Sequence, residues 1–174
     1  MSMQPVFTYL EQPPARWTFD MAKLKEWVET HCTGRVLNLF AGKNRLAVNE
    51  YRVDISNEYQ PDSVCDAFDF VALTEDRFGT IVLDPPYNLR KAREKYHGNY
   101  VGSLTKIKNE LPRILNVGGR IISLGYDSVG MGNCRGFRKI AICVVCHGGD
   151  HNDTIGLVEQ YQQPGLGLGA QIGG

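Results

Sequence analysis

The run Ile81-Val82-Leu83 carries no polar residue, and Asp84-Pro85-Pro86-Tyr87 follows it at once. A short apolar run bounded by turn residues reads as a strand buried on both faces, and such strands belong to parallel sheets with helices on each side. In a doubly wound sheet, chemistry gathers at the carboxyl ends of the strands. An acid there, two prolines that fix the following turns and an aromatic ring make a rigid pocket edge, with an acceptor-rich wall and one flat face. Such a wall suits a planar base that carries an amine.

The segments on either side fall into an order that a βαβ sheet permits. Strands are expected at Val36 to Phe40, near Tyr51 to Ile55, at Val64 and Cys65, at Thr80 to Leu83 and at Arg120 to Leu124. Gly42 follows the first, Asp54 lies at the end of the second, Asp66 follows the third and the tetrapeptide follows the fourth. Asp-Pro-Pro-Tyr alone also suits a tight loop, and a single glycine means little. The succession of strand, glycine, acid, acid and tetrapeptide gives these residues a common site.

Through Ile81 to Tyr87 the chain resembles the S-adenosylmethionine-dependent amino-methyltransferases that act on the exocyclic nitrogen of adenine in nucleic acid. The resemblance covers roughly residues 36 to 126, with the cofactor loop before the tetrapeptide. It implies a Rossmann-like, doubly wound α/β methyltransferase fold: a mostly parallel seven-stranded sheet with an antiparallel C-terminal edge strand. It implies catalytic roles for Asp84, Pro85, Pro86 and Tyr87, and S-adenosylmethionine as cofactor. An acid at the first position of the tetrapeptide favours adenine over cytosine N4. The family's Phe-x-Gly-x-Gly loop is similar to Phe40-Ala41-Gly42-Lys43-Asn44, in which Asn44 replaces the second glycine. The resemblance further implies that Asn38, Phe40, Ala41 and Gly42 shape the methionine side of the cofactor pocket. Asp54 would hold the ribose, and Asp66, Ala67 and Phe68 the cofactor's adenine.

The interval between Gly42 and Tyr51 is too short for a full crossover helix, so the expected connection is a single turn or a loop. Residues 1 to 19 read as irregular because Pro5, Pro13 and Pro14 interrupt them, with Trp17 and Phe19 available to pack on the sheet or cover the cofactor. Asp20 is expected to cap a helix running to about Cys32, with Gly34 ending it. Ala67 to Leu73 reads as a short connecting segment. The spacing of Ile107, Leu111, Ile114 and Leu115 predicts a helix from Leu104 to Leu115, capped by Ser103 and carrying Pro112 as a defect. Two strands, Ala141 to Cys146 and Thr154 to Gln160, are expected to pair antiparallel across the turn Gly148-Gly149-Asp150-His151 and close the sheet edge.

At 174 residues and 43% hydrophobic content, the chain is expected to form one domain over residues 1 to 162, followed by a Gly-rich tail from 163 to 174. That leaves no room for a separate recognition domain, so target recognition is expected from loops, a protein partner or the substrate's own fold. Nineteen basic and nineteen acidic residues cancel, which gives no global field for a polyanion. Positive charge is concentrated after Tyr87 instead, where Arg90, Lys91, Arg93 and Lys95 are candidates for phosphate contacts with DNA or RNA. The stretch from Asn88 to Val101, polar and aromatic with Gly98, reads as a lid over a target base. No membrane association is expected, because the sequence has neither a spanning stretch nor a signal pattern. Five cysteines argue against a disulfide framework and favour a cytoplasmic (intracellular) protein. Cys143, Cys146, His147 and His151 have the residue types of a zinc site. Residues three apart on a strand point to opposite faces, however, so no metal is expected, and the cysteines read as core with a solvent-facing His pair. Cytosine N4 as target and a non-catalytic partner subunit remain as other readings.

Overall fold

The computed structural model describes residues 4–86, 104–132, 136–149 and 151–162. Its elements in chain order are β1 (Val6–Glu11), a 3-10 turn (Thr18–Asp20), α1 (Ala22–His31), β2 (Val36–Leu39), β3 (Glu50–Asp54), β4 (Ser63–Val64), α2 (Ala67–Leu73), β5 (Phe78–Leu83), α3 (Leu104–Ile114), β6 (Leu115–Gly125), β7 (Phe137–Cys146) and β8 (Thr154–Tyr161). The strands form one eight-stranded sheet in the order β1-β7-β8-β6-β5-β2-β3-β4. All neighbours pair in parallel except β8, which runs antiparallel to both β6 and β7.

Two expectations about the sheet are corrected. The antiparallel strand is interior, between β6 and β7, and the edge belongs to β1. Residues 6 to 11, expected to be irregular, supply that eighth strand, from Val6↔Ala141 to Glu11↔Cys146. They lie between Pro5 and Pro13, so the prolines bound the strand and do not interrupt it.

The two faces of the sheet are covered differently. Leu37, Leu39, Val53, Ile81 and Leu83 point to the face covered by α2 and α3, where Val71, Ile107, Leu111 and Ile114 bury against them. Val36, Val82, Ile122, Val145 and Val158 point the other way, toward Leu24, Trp27 and Val28 of α1. Strands buried on both faces account for the continuous apolar run at β5, whose six residues are all buried.

Local chemistry explains the element ends. Asp66 is extended at the start of α2, and its carboxylate accepts the Phe68 N–H at 2.7 Å. Ala67–Leu73, read from sequence as a connection, is therefore a capped helix. Asp20 is not the cap of α1: Met21 holds that position without a side-chain bond. The Asp20 carboxylate instead accepts from Asn44 Nδ2 at 2.8 Å. Ser103 lies outside the described residues. Pro112 sits in the last turn of α3, which passes directly into β6. The β2–β3 connection, residues 40 to 49, contains no helix, as its length requires.

Candidate active site

The sheet runs outward in opposite directions from β2 and β5, which are hydrogen-bonded neighbours. This is a topological switch point, where the connections leave toward opposite faces and open a crevice at the carboxyl ends of the strands. The register Leu39↔Leu83 brings Phe40 and Asp84 out of the sheet side by side. A cavity of about 460 Å³ lies there, bordered by Phe40, Ala41, Gly42, Asp84, Pro85 and Pro86 from this crevice. Its outer wall is the segment after β1, including Arg16, Trp17 and Phe19, and its far end is formed by His147, His151 and Thr154. Trp17 and Phe19 thus cover the site as well as packing on it. Tyr87, Arg90, Lys91, Arg93, Lys95 and the expected lid lie outside the described residues.

The loop after β2 is held by unusual means. Phe40 has φ +63°, a left-handed conformation that costs a non-glycine residue free energy and recurs at functional sites. Gly42 has φ +54°, and a Cβ there would stand 3.0 Å from the Trp17 ring, so both conformation and space call for glycine. Its N–H donates to Asp54 Oδ2 at 2.8 Å, while Oδ1 of the same carboxylate accepts from Ser56 N–H at 2.9 Å. Asn44, in place of a second glycine, ties the loop to Asp20, and Lys43 Nζ lies 3.6 Å from the same carboxylate.

Beneath the loop the α1 face of β2 and β3 is polar. Glu50, Arg52 and Asp54 alternate along β3, and Asn38 pairs in register with Arg52. Asn38 Nδ2 donates to Glu50 at 3.1 Å, and the other Glu50 oxygen accepts the Leu46 N–H at 3.2 Å. Arg52 is fully buried; it donates to the carbonyls of Gly42 and Tyr59 and lies 3.6 Å from Glu50. Burial pushes the Glu50 carboxyl above its ordinary value, against the hydrogen bond from Asn38 and the charge of Arg52, which pull it down. Sequence reasoning missed Glu50 and Arg52. The strict polar–apolar alternation of Glu50-Tyr51-Arg52-Val53-Asp54 was the available signal, since it marks a strand with one polar face.

The expected residues thus divide. Phe40, Ala41, Gly42, Asp84, Pro85 and Pro86 share one cavity. Asn38 is buried beneath them, Asp54 buttresses Gly42, and Asp66 caps α2. Ala67 is buried in the core and Phe68 packs against it; none of these five borders the cavity.

The His pair is corrected too. His151 is exposed, but His147 is half-buried and doubly bonded: Nδ1 lies 2.8 Å from the Gln12 carbonyl and Nε2 2.8 Å from Thr154 Oγ1. A carbonyl only accepts, so Nδ1 carries a proton, and in the neutral ring Nε2 accepts from the Thr154 hydroxyl. Nothing in the sequence pairs these three residues. Cys143 is buried in the core and Cys146 lies on the opposite face, as the strand period requires. Burial pushes the Cys143 thiol up to about 11. Among the described residues, no three metal-ligating side chains gather, and no helix is long and apolar enough to cross a membrane.

No family model matches the chain, and no curated protein does. Solved structures do. TrmN from Thermus thermophilus superposes with a TM-score of 0.54 at 17% identity, over 81% of this chain and 48% of that one. The protein yhhF from Escherichia coli superposes with a TM-score of 0.59 at 12% identity, over 86% and 91%. The N-methyltransferase NodS from Bradyrhizobium japonicum, in complex with S-adenosylhomocysteine, gives 0.58 at 10%, over 81% and 87%. The chain spans about half the length of the first of these. What is shared at these identities is the fold: this chain has the Rossmann-like, mostly parallel mixed sheet of the class I S-adenosylmethionine-dependent methyltransferases.

Proposed function

We propose that the protein is an S-adenosylmethionine-dependent methyltransferase acting on the exocyclic N6 amine of adenine in DNA or RNA. The observation that carries this reading is the single cavity joining the Phe40–Asn44 loop to Asp84-Pro85-Pro86 at the switch point of the sheet. Its volume of about 460 Å³ falls in the range of small-molecule and cofactor sites. The residues present fit the cofactor. The rings of Trp17, Phe19 and Phe40 offer apolar and π surface to a sulfonium cation, and Gly42 keeps the backbone low beneath it. The bound cofactor would supply an electrophilic methyl group.

This chain's own residues supply orientation. Asn38, Phe40, Ala41 and Gly42 shape the methionine side, with Asn38 acting from beneath. Asp54 positions the loop by accepting the Gly42 N–H, while Asp66, Ala67 and Phe68 lie off the cavity at the start of α2. The target adenine leaves its stack and donates its amine hydrogens to the Asp84 carboxylate and the Pro85 carbonyl, with Tyr87 against its ring. Those acceptors aim the nitrogen lone pair at the methyl carbon. With a methyl donor bound, Asp84 would hold the amine in place and would take up, or pass to solvent, the proton that the methylated nitrogen loses. Proximity and alignment account for most of the rate. Arg16 and Lys43 border the cavity, and the basic run Arg90, Lys91, Arg93 and Lys95 follows the tetrapeptide in the sequence, which supports a phosphate backbone as part of the substrate.

The test is calorimetric titration with S-adenosylmethionine and S-adenosylhomocysteine, followed by methyl transfer to adenine-containing DNA and RNA. Micromolar binding and labelled N6-methyladenine are expected. A folded protein that binds neither ligand would favour a non-catalytic partner subunit.

A further inference from the structure

We propose that β1 is a dimerisation edge: it pairs antiparallel with β1 of a second copy of this chain about a two-fold axis at Thr8, and the two sheets become one. No residue of β1 borders the large cavity, so this surface is separate from the candidate active site.

The open backbone groups can be identified. β1 ends the sheet, with β7 on one side and no strand on the other among the described residues. Alternate residues of a parallel strand turn their N–H and C=O toward the same neighbour. The Gln12 N–H donates to the Cys146 carbonyl at 3.1 Å, so Val6, Thr8 and Leu10 also face β7, and the backbone groups of Phe7, Tyr9 and Glu11 face outward. Lys23 Nζ donates to the Glu11 carbonyl at 3.0 Å and takes up that outward acceptor.

A second copy answers these groups. With Thr8 opposite Thr8, Phe7 lies opposite Tyr9 of the other copy and Tyr9 opposite its Phe7. Both are hydrogen-bonded pairs that exchange an N–H and a carbonyl in each direction. The next pair outward sets Glu11 against Pro5. Proline has no N–H to give, and the Glu11 carbonyl already has Lys23, while the Glu11 N–H reaches the Pro5 carbonyl. Centring the pair on Phe7 or on Tyr9 instead sets Tyr9 against Pro5 or Phe7 against Glu11, and an outward group then meets a missing N–H or an engaged carbonyl. The edge is therefore complementary to itself in one register.

The side chains agree. Val6, Phe7 and Tyr9 are 66%, 64% and 54% exposed. Sheet edges are ordinarily blunted by charge, proline or a bulge, and the stretch from Val6 to Leu10 carries none of these. In the paired register Phe7 meets Tyr9 as an aromatic cross-strand pair, and Val6 lies over Leu10 of the other copy. Phe7 and Tyr9 stand in register with the half-buried Ile142 and Val144, so the apolar surface continues from the edge onto the sheet. Beyond Glu11 the chain becomes the outer wall of the large cavity through Arg16, Trp17 and Phe19, and the Gln12 carbonyl holds His147. Joined edges thus steady one wall of each copy's site.

The experiment is sedimentation equilibrium on the full chain, with thermal melts over a range of concentrations. Wild type is expected to show twice the chain's mass well above micromolar concentration, to dissociate on dilution, and to melt higher as concentration rises. Phe7→Lys keeps every backbone bond and places a charge in the edge twice per dimer; the dissociation constant should rise roughly ten-fold or more. Phe7→Pro removes only an outward N–H, and should give a monomer that melts like wild type at high dilution. Thr8→Cys lies at the axis in a non-hydrogen-bonded pair, with Cα atoms about 4.5 Å apart, and should form a covalent dimer under mild oxidation where Val6→Cys does not. Wild type that stays monomeric, a dimer that survives both Phe7 variants, or equal crosslinking of the two cysteine variants would overturn the proposal. So would a monomer that dimerises only once residues 163–174 are removed, since the edge would then belong to the chain's own tail.

Discussion

The two faces of the sheet at β2 and β3 are covered by opposite means. On the α2–α3 face, Leu37, Leu39 and Val53 meet apolar helix surface. On the other, the short β2–β3 connection provides no helix, and the loop from 40 to 49 rests on Asn38, Glu50, Arg52 and Asp54. Apolar packing is non-directional and tolerates small adjustments, whereas a buried charged network holds only in one geometry. The apolar face therefore stabilises the fold and the polar face places the loop that borders the candidate site.

The largest effect is expected at the site itself. Asp84→Ala and Tyr87→Ala should each abolish methyl transfer while the melting temperature stays near that of wild type; retained turnover in the Asp84 variant would sink the mechanism. Next comes the contrast between faces. Arg52→Ala should cost about 3–5 kcal/mol by leaving Glu50 buried without its charge partner, and should weaken S-adenosylhomocysteine binding by releasing the Gly42 carbonyl. Leu37→Ala should cost about 2–5 kcal/mol and leave that binding unchanged in the folded protein. Equal losses of ligand affinity would erase the distinction.

A smaller effect concerns pH. Burial raises the carboxyls of Glu50 and Glu159 above their ordinary values. The folded protein then holds their protons more tightly than the unfolded chain does. Their contribution to stability is full below the unfolded pKa and is lost as pH rises through the raised folded values. Melting temperature followed upward from about pH 4 should show this decline, and Glu159→Gln should flatten it; an unaltered slope would place the proton elsewhere. The smallest change is expected from neutralising Arg90, Lys91 and Arg93. Nucleic-acid affinity should drop, and its logarithmic salt slope should flatten by about one for each phosphate that the variant no longer neutralises. An unchanged slope would leave the run as surface charge.

How much of this is legible in the sequence follows from the range of each interaction. β2, β5 and the Ile121-Ile122 part of β6 can be read because burial on both faces leaves a local apolar signature, and α3 because Ile107, Leu111 and Ile114 recur at helical spacing. The tetrapeptide and the Phe40–Gly42 segment can be read because each follows a strand directly. β1 could not be, since its pairing partner β7 is more than a hundred residues away and its own residues are mostly exposed. The helix α2 was hidden by its length of seven residues, and its cap, Asp66, was read as a cofactor contact.

The sequence by itself determined the alternating sheet and helices and the acid-proline-proline turn at the end of β5, because period and turn chemistry act over a few residues. Only the tertiary structure decided that β8 would be interior, that Asp54 would spend its carboxylate on Gly42 and Ser56, and that His147 would join Gln12 to Thr154. Those outcomes depend on which distant groups the packed sheet brings within hydrogen-bond reach, and no local pattern encodes that distance.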